Sequence, residues 1–324
     1  MIQCFRNLGR ALILLAWAVG ASAQDTGNIP VVGVLRASSA TQHDPAMEAI
    51  RTELHALGYK EGRNIRIEQR FSNRRADRLP QLASELVRMN AKIIVAVNEL
   101  SLRAAKQATS TIPIIVIAYD HDPVASGLID SKTRPGGNVT GIFSRQVELV
   151  GKRLELLKEM MPRLSRVAVL SDPVSELPAE LEAAGKQLEL QLQVVPMGHP
   201  QEFERAIKQA GNSAQAAILL YSPMLFDYRV RIATLAIEAR LPMMTQAPEF
   251  VQAGALMSYA PDQNEVAGRA AYFIDRLLRG ATPADLPVEE ASRFKLSINL
   301  RTAKALGITI PQSILLRADE VIRE

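Results

Sequence analysis

The segment PIIVIAYDHDPVASG (Pro113–Gly127) runs from five apolar residues, Ile114–Ala118, straight into Tyr119, Asp120, His121 and Asp122. Two carboxylates flanking an imidazole at a strand tip have the chemistry for three tasks. They can ligate a metal, exchange protons as general acid and base, or clamp the charged end of a small molecule. Metal binding needs three or four protein ligands with outer-shell support. Asp120 and Asp122 point to opposite sides if the strand continues, and His43, His55, His121 and His199 never pair at i,i+3 or i,i+4 spacing. A Ser-His-Asp nucleophile lacks a GxSxG elbow here. The residues favour the clamp, with no metal and no cofactor. An exported enzyme using Asp120, His121 and Asp122 is the alternative.

Similar side chains recur wherever the sequence ends a strand. In open parallel sheets ligands bind beyond the carboxyl ends of the strands, where helix N-termini also point. That rule selects Ser38, Ser39 and Thr41, then Ser72 and Asn73, then Asn98, Glu99 and Ser101, then the Tyr119–Asp122 cluster. Further along it selects Ser171 and Asp172, His199, Tyr221 and Ser222, and Gln246 and Glu249. The ligand-contacting set expected is Ser38, Ser39, Asn98, Tyr119, Asp122, Asp172, Tyr221, Ser222, Gln246 and Glu249. Ser38, Ser39 and Asn98 with helix amides suit a carboxylate, and Asp122 or Glu249 suits an ammonium. Tyr119 and Tyr221 suit an apolar or aromatic side chain. Ser and Asp at these positions also serve as plain helix caps.

These tips belong to a chain of 324 residues, 48% apolar and 22% charged, which is long enough for two cores. Residues 1–23 read as a secretory signal peptide: Arg6 and Arg10, then the apolar core Ala11–Gly20, then Ala21-Ser22-Ala23 before Gln24. The single cysteine, Cys4, and the single tryptophan, Trp17, both lie in that segment, so the exported chain has no thiol chemistry. Without Arg6 and Arg10 there remain 36 basic against 34 acidic residues, and the net charge falls from +4 to +2. That balance gives no reason to expect nucleic acid or an anionic membrane as partner. Asn73-Arg74-Arg75 reads as the solvated start of a helix.

Short β-branched runs alternate with amphipathic segments, the mark of parallel α/β architecture. Strands are expected at Pro30–Arg36, Asn64–Arg70, Lys92–Val97 and the run after Pro113, with helices between. The first helix has Asp44 as N-cap, Pro45 at N1 and Gly58 beyond its end. The rhythm restarts with strands at Ser165–Ser171, Leu192–Pro196, Ala216–Tyr221 and Leu241–Thr245, the last preceded by one long helix over Phe226–Arg240. Each half thus has four strands. Arg134–Phe143 between them reads as a turn at the hinge, and its Asn138-Val139-Thr140 matches a glycosylation sequon. Later, Asp262 and Glu265 form an expected capping box for a helix ending at Gly280.

In order along the chain, LGYKEGRNIRIEQRF (Leu57–Phe71), AAKQATSTIPIIVI (Ala104–Ile117), DPVASGLI (Asp122–Ile129) and RPGGNVTGI (Arg134–Ile142) resemble a known family. So do GKRLELLKEMMPRLSRVAVL (Gly151–Leu170), GALMSY (Gly254–Tyr259) and the distinctive final block Asp285–Ile322. These blocks resemble the secreted substrate-binding proteins of ABC transporters. The resemblance implies a type I periplasmic-binding fold: two Rossmann-like α/β lobes with parallel sheets, joined by a multi-segment hinge. It divides the chain into 1–23, a first lobe of 24–143 plus 261–286, and a second of 144–260 plus 287–324. It further implies a periplasmic monomer that closes on a small molecule, an amino acid or related carboxylate, and delivers it to a membrane permease. Some relatives are linked to tryptophan or other aromatic amino acids. A receptor serving a membrane-bound sensor is a further alternative. His121 replaces the glycine usual before Asp122-Pro123, Asn98-Glu99-Leu100-Ser101 replaces a small Gly-Thr-Pro-like loop, and Pro248 stands where arginine is common, beside Glu249.

Overall fold

A computed structural model describes residues 29–40, 44–118, 123–124, 126–144, 149–173, 177 and 179–323. The expected alternation is present. β1 (Val31–Arg36), α1 (Pro45–Ala56), β2 (Arg66–Phe71), α2 (Leu79–Arg88), β3 (Ile93–Val97), α3 (Glu99–Ala108) and β4 (Ile114–Ala118) follow one another. A further strand, β5 (Val139–Phe143), ends this half. The second half holds α4 (Leu149–Met160), β6 (Arg166–Ser171), α5 (Ala179–Gln187), β7 (Gln191–Pro196), α6 (Phe203–Ser213) and β8 (Ala216–Leu219). It continues through α7 (Pro223–Asp227), α8 (Arg229–Glu238), β9 (Met243–Thr245), α9 (Pro248–Gln252) and β10 (Met257–Pro261). Then come α10 (Gln263–Leu278), β11 (Glu289–Glu290), β12 (Phe294–Asn299), α11 (Leu300–Leu306), α12 (Gln312–Leu315) and β13 (Glu320–Ile322).

The two halves are wound alike. One sheet has the order β11-β5-β4-β3-β1-β2, the other β13-β12-β10-β9-β8-β6-β7. Each therefore contains the doubly wound order 2-1-3-4-5, with its crossover point between the first and third strands. Neighbours are parallel except β10 and β12, which run antiparallel. Each sheet is covered on both faces. Leu86, Ile94 and Val116 pack on one side of the first, and Val34, Ile117 and Phe273 on the other. Val169, Ile218 and Ile298 face one side of the second, Leu170, Phe203 and Ile232 the other.

Three segments cross between the sheets: from β5 to α4, from β10 to α10, and from β11 to β12. α10 packs against α1 of the first half. Glu289–Glu290 pairs with β5, so the chain still belongs to the first sheet beyond the change of lobe expected at 287. The second and third crossings are tied together. Asp262 donates its N–H to the Arg293 carbonyl at 2.8 Å. Glu265 accepts from the N–H groups of Ser292 (3.2 Å) and Arg293 (2.8 Å) and from the Ser292 hydroxyl (2.6 Å). The capping box is thus only half formed: Asp262 caps α10 through Asn264 N–H at 3.0 Å, while Glu265 staples the neighbouring crossing instead.

Two other expectations change. Arg134–Phe143 is not all turn. Gly136 and Gly137 do turn the chain at left-handed φ, but Val139–Phe143 is a central strand buried throughout. The long helix over Phe226–Arg240 is two helices, broken at Tyr228, whose ring meets Phe203 edge-on at 5.6 Å. Asn138 of the sequon is 9% exposed and donates to the carbonyls of Ile112 (2.7 Å) and Thr109 (3.2 Å). It is a structural anchor, not a glycan site.

Gly141 shows why β5 requires glycine. Its φ is 139°, and a Cβ there would lie 2.2 Å from the Val116 carbonyl oxygen of β4. Gly141→Ala is expected to destabilise the first lobe by about 2 kcal/mol or more, read as a fall in denaturant midpoint without a change of slope.

Candidate ligand-binding cleft

The crossover point of the first sheet and the carboxyl ends of β8 and β9 in the second face one cleft, which encloses about 800 Å³ with its open mouth included. β1 ends in Arg36 and continues to Ser38 and Ser39, β2 ends in Phe71, and β3 ends in Val97; all line the first wall. Asp44 and Pro45, at the start of α1, complete it. The second wall comes from Tyr221 beyond β8, from Phe226, Asp227 and Arg229 around the α7–α8 break, and from Gln246 and Glu249 beyond β9. Gln263 contributes from the second crossing.

Five of the ten expected residues therefore meet: Ser38, Ser39, Tyr221, Gln246 and Glu249. Three do not line the cleft. Asn98 sits in a left-handed conformation (φ 84°) and caps α3, its side-chain oxygen accepting the Ser101 N–H at 3.0 Å. Ser222 is 3% exposed and its hydroxyl accepts the Leu225 N–H at 3.1 Å, capping α7. Asp172 is buried just past β6. Their oxygens serve as caps or lie in the interior, which strand-tip position alone does not distinguish from ligand contact. Tyr119 and Asp122, with Asp120 and His121, lie outside the described residues. Among the described residues, no group of three or more His, Cys, Asp or Glu is placed to hold a metal, and no helix is long and apolar enough to cross a membrane.

The cleft's charge is unevenly satisfied. Arg36 is ion-paired with Asp44, which also caps α1 through Met47 N–H at 3.3 Å, yet its Nε is buried without a partner. Arg229 donates to the Phe226 carbonyl at 3.2 Å and lies 4.9 Å from the centre of that ring. Asp227 accepts the Ser39 N–H across the cleft at 3.4 Å through Oδ2, while its Oδ1 has no partner. Glu249 Oε2 is buried and unpartnered as well. Burial pushes the carboxyl of Glu249 up, its own N–H and Arg229 pulling against it and Asp44 and Glu320 adding to it. Burial also pushes Asp227 up, against Ser39 and Arg74. Carboxylate oxygens left without a donor in a part-dry cleft are costly. Around them Tyr221, Phe226 and Phe250 form a chain of rings at 6.1 Å spacings. An ammonium, a carboxylate and a planar apolar group would each find a counterpart here.

The family model for ABC transporter substrate binding proteins matches residues 31–322. The chain belongs to that family. Over 272 residues, 82% of its length and 77% of the relative's, it is 28% identical to a tyrosine-binding protein of Clostridioides difficile (strain R20291). A solved ABC domain in complex with L-Trp from Streptococcus pneumonia is 25% identical, with a TM-score of 0.81 over 91% of this chain and all of that one. A conserved domain protein from Vibrio cholerae is 26% identical, with a TM-score of 0.80 over the same shares. The fold is that of type I periplasmic binding proteins. Substrate-binding proteins of this family capture solutes for ABC importers.

Arg36, Phe71, Phe226, Asp227 and Arg229 were not among the strand-tip candidates. Arg36 and Phe71 are the last residues inside their strands, and Phe226, Asp227 and Arg229 flank a helix break with no sequence signal. Glu249→Gln tests the unpaired carboxylate. A buried acid with a raised pKa destabilises the ligand-free fold above that pKa and costs nothing below its ordinary value of 4.5. The variant should therefore melt at or above wild type at pH 7, and the difference should vanish as pH falls through the raised range. Melting curves from pH 4 to 8 check this.

Proposed function

We propose that the protein is the exported receptor of an ABC importer and captures an amino acid with an aromatic side chain. The unpartnered, part-buried carboxylate of Glu249 carries this reading. It faces a cleft that also offers guanidinium groups and aromatic rings. Glu249 receives the ligand ammonium, Arg36 and Arg229 face its carboxylate with Ser38 and Ser39 beside them, and Phe71, Tyr221 and Phe226 take the ring. Gln246 serves the polar edge. Asn98, Asp172 and Ser222 set the walls behind these groups. Relatives with tyrosine or L-Trp in their names support the ligand class.

The lobes comprise 29–143 with 263–290, and 149–261 with 294–323, and they close about three crossings. Residues 1–23 direct export to the periplasm, where the monomer binds without turnover and hands its ligand to a membrane permease.

A thermal-shift panel on protein stripped of ligand by unfolding and refolding tests the reading. A ligand at about 100 times its dissociation constant adds roughly 2.7 kcal/mol, a shift of several degrees. Tyrosine, tryptophan or phenylalanine should raise the melting temperature, and sugars, nucleosides and divalent metals should not. A shift confined to sugars or metals would overturn the assignment. Glu249→Gln should weaken the amino-acid hit by about tenfold or more.

A further inference from the structure

The sequence Asn73-Arg74-Arg75 reads as a solvated helix start, but the chain does something less ordinary there. Asn73 and Arg74 both adopt left-handed backbone, at φ 53° and 64°. Asparagine tolerates that region; arginine has no local compensation for it. The conformation is held from the first lobe: the Asn73 and Arg74 N–H groups donate to the carbonyls of Ser38 (3.3 Å) and Ala37 (3.0 Å). Buried Ser72 donates its hydroxyl to the Ala37 carbonyl at 3.0 Å. Loops beyond β1 and β2 are thereby fastened together, and Arg74 is thrown toward the second lobe. Its Nε lies 3.8 Å from Asp227 Oδ2, and its guanidinium carbon lies 5.1 Å from the centre of the Tyr228 ring.

We propose that Arg74 is an inter-lobe latch: by engaging Asp227 and Tyr228 across the cleft it holds the lobes shut and sets how long a ligand is retained. Three observations converge. Strained backbone at a non-glycine residue aims the side chain. Both partners belong to the opposite lobe. The Ser39 N–H reaches the same carboxylate from the loop that Arg74 is fastened to. Asp227 is 10% exposed in its side chain against 37% for Arg74, so the pair is only partly screened by water. These contacts join the two lobes and break when the lobes separate, so they bias the closed state alone. Arg74 does not line the ligand space, and its removal leaves the ligand's own contacts in place.

The retention role rests on the receptor reading; the closure role does not, and two measurements separate them. Arg74→Asn keeps a residue suited to the left-handed backbone and removes the guanidinium. In stopped-flow with L-tryptophan as probe, it should raise the dissociation rate about three- to tenfold and change the association rate by less than about twofold. In an Asp227→Asn background the same change should have a smaller effect, since only the Tyr228 contact is left to lose. An unaltered dissociation rate, or an equal effect in both backgrounds, would overturn the latch. If no aromatic amino acid binds, the ligand assignment fails while closure can still be read. Spin labels at exposed Arg88 and Arg205, placed as cysteines in a Cys4→Ser chain, report the lobe separation without ligand. The short-distance population should fall about three- to tenfold relative to the long in Arg74→Asn; identical distributions would sink the proposal.

Discussion

Much of the cleft is organised around carboxylates whose hydrogen bonding the protein itself leaves incomplete. Glu249 and Asp227 each keep a buried oxygen without a hydrogen-bond partner, and burial raises both acids. A fold selected for stability alone would pair such groups or replace them. Here Arg36 is paired with Asp44, Arg229 is held by the Phe226 carbonyl and ring, and Arg74 meets Asp227, and none of the three bonds the open oxygen of Glu249. The missing donor is then most simply supplied from outside, and closure of two lobes is how it would be enclosed.

Everything that presents these acids follows from winding two similar sheets and crossing between them three times. The carboxyl ends of β1 and β3, at the first sheet's crossover point, and of β8 and β9 meet at one opening, so short loops suffice to place Ser38, Val97, Tyr221 and Gln246. Stiffness where the lobes join comes from Glu265, whose carboxylate is spent on the Ser292–Arg293 crossing rather than on its own helix. A second stiffening lies in Arg153 of α4, fully buried, donating to the Tyr259 carbonyl of β10 at 2.8 Å just before the second crossing. Burial lowers its pKa to about 9, which leaves it charged at neutral pH. Anchored crossings with open rims let the lobes move as bodies while the cleft walls keep their shape.

Most of the architecture is legible in the sequence because β-branched runs such as Ile93–Val97 and Ile114–Ala118 are too apolar and too short to be anything but buried parallel strands. β5 escapes because Gly141, which its close contact with Val116 demands, and the preceding Gly136-Gly137 imitate a loop. The break at Tyr228 escapes because it depends on packing against Phe203, a residue distant in sequence. The site is half legible for the same reason. Strand-end position finds Ser38, Ser39, Tyr221, Gln246 and Glu249, since topology alone brings those tips together. It cannot tell that Asn98 and Ser222 spend their oxygens on capping, nor that Arg36 and Phe71 turn inward from the last position of a strand.

The most direct test compares equilibrium binding of tyrosine and tryptophan with that of their deaminated analogues, 3-(4-hydroxyphenyl)propionate and indole-3-propionate. Ring and carboxylate are retained in each pair, and only the ammonium is removed. If Glu249 awaits an ammonium, the analogues should bind at least about a hundredfold more weakly, because the buried carboxylate stays unpaired beneath them. Equal affinity for amino acid and analogue would contradict the account and move recognition to the rings and guanidinium groups alone.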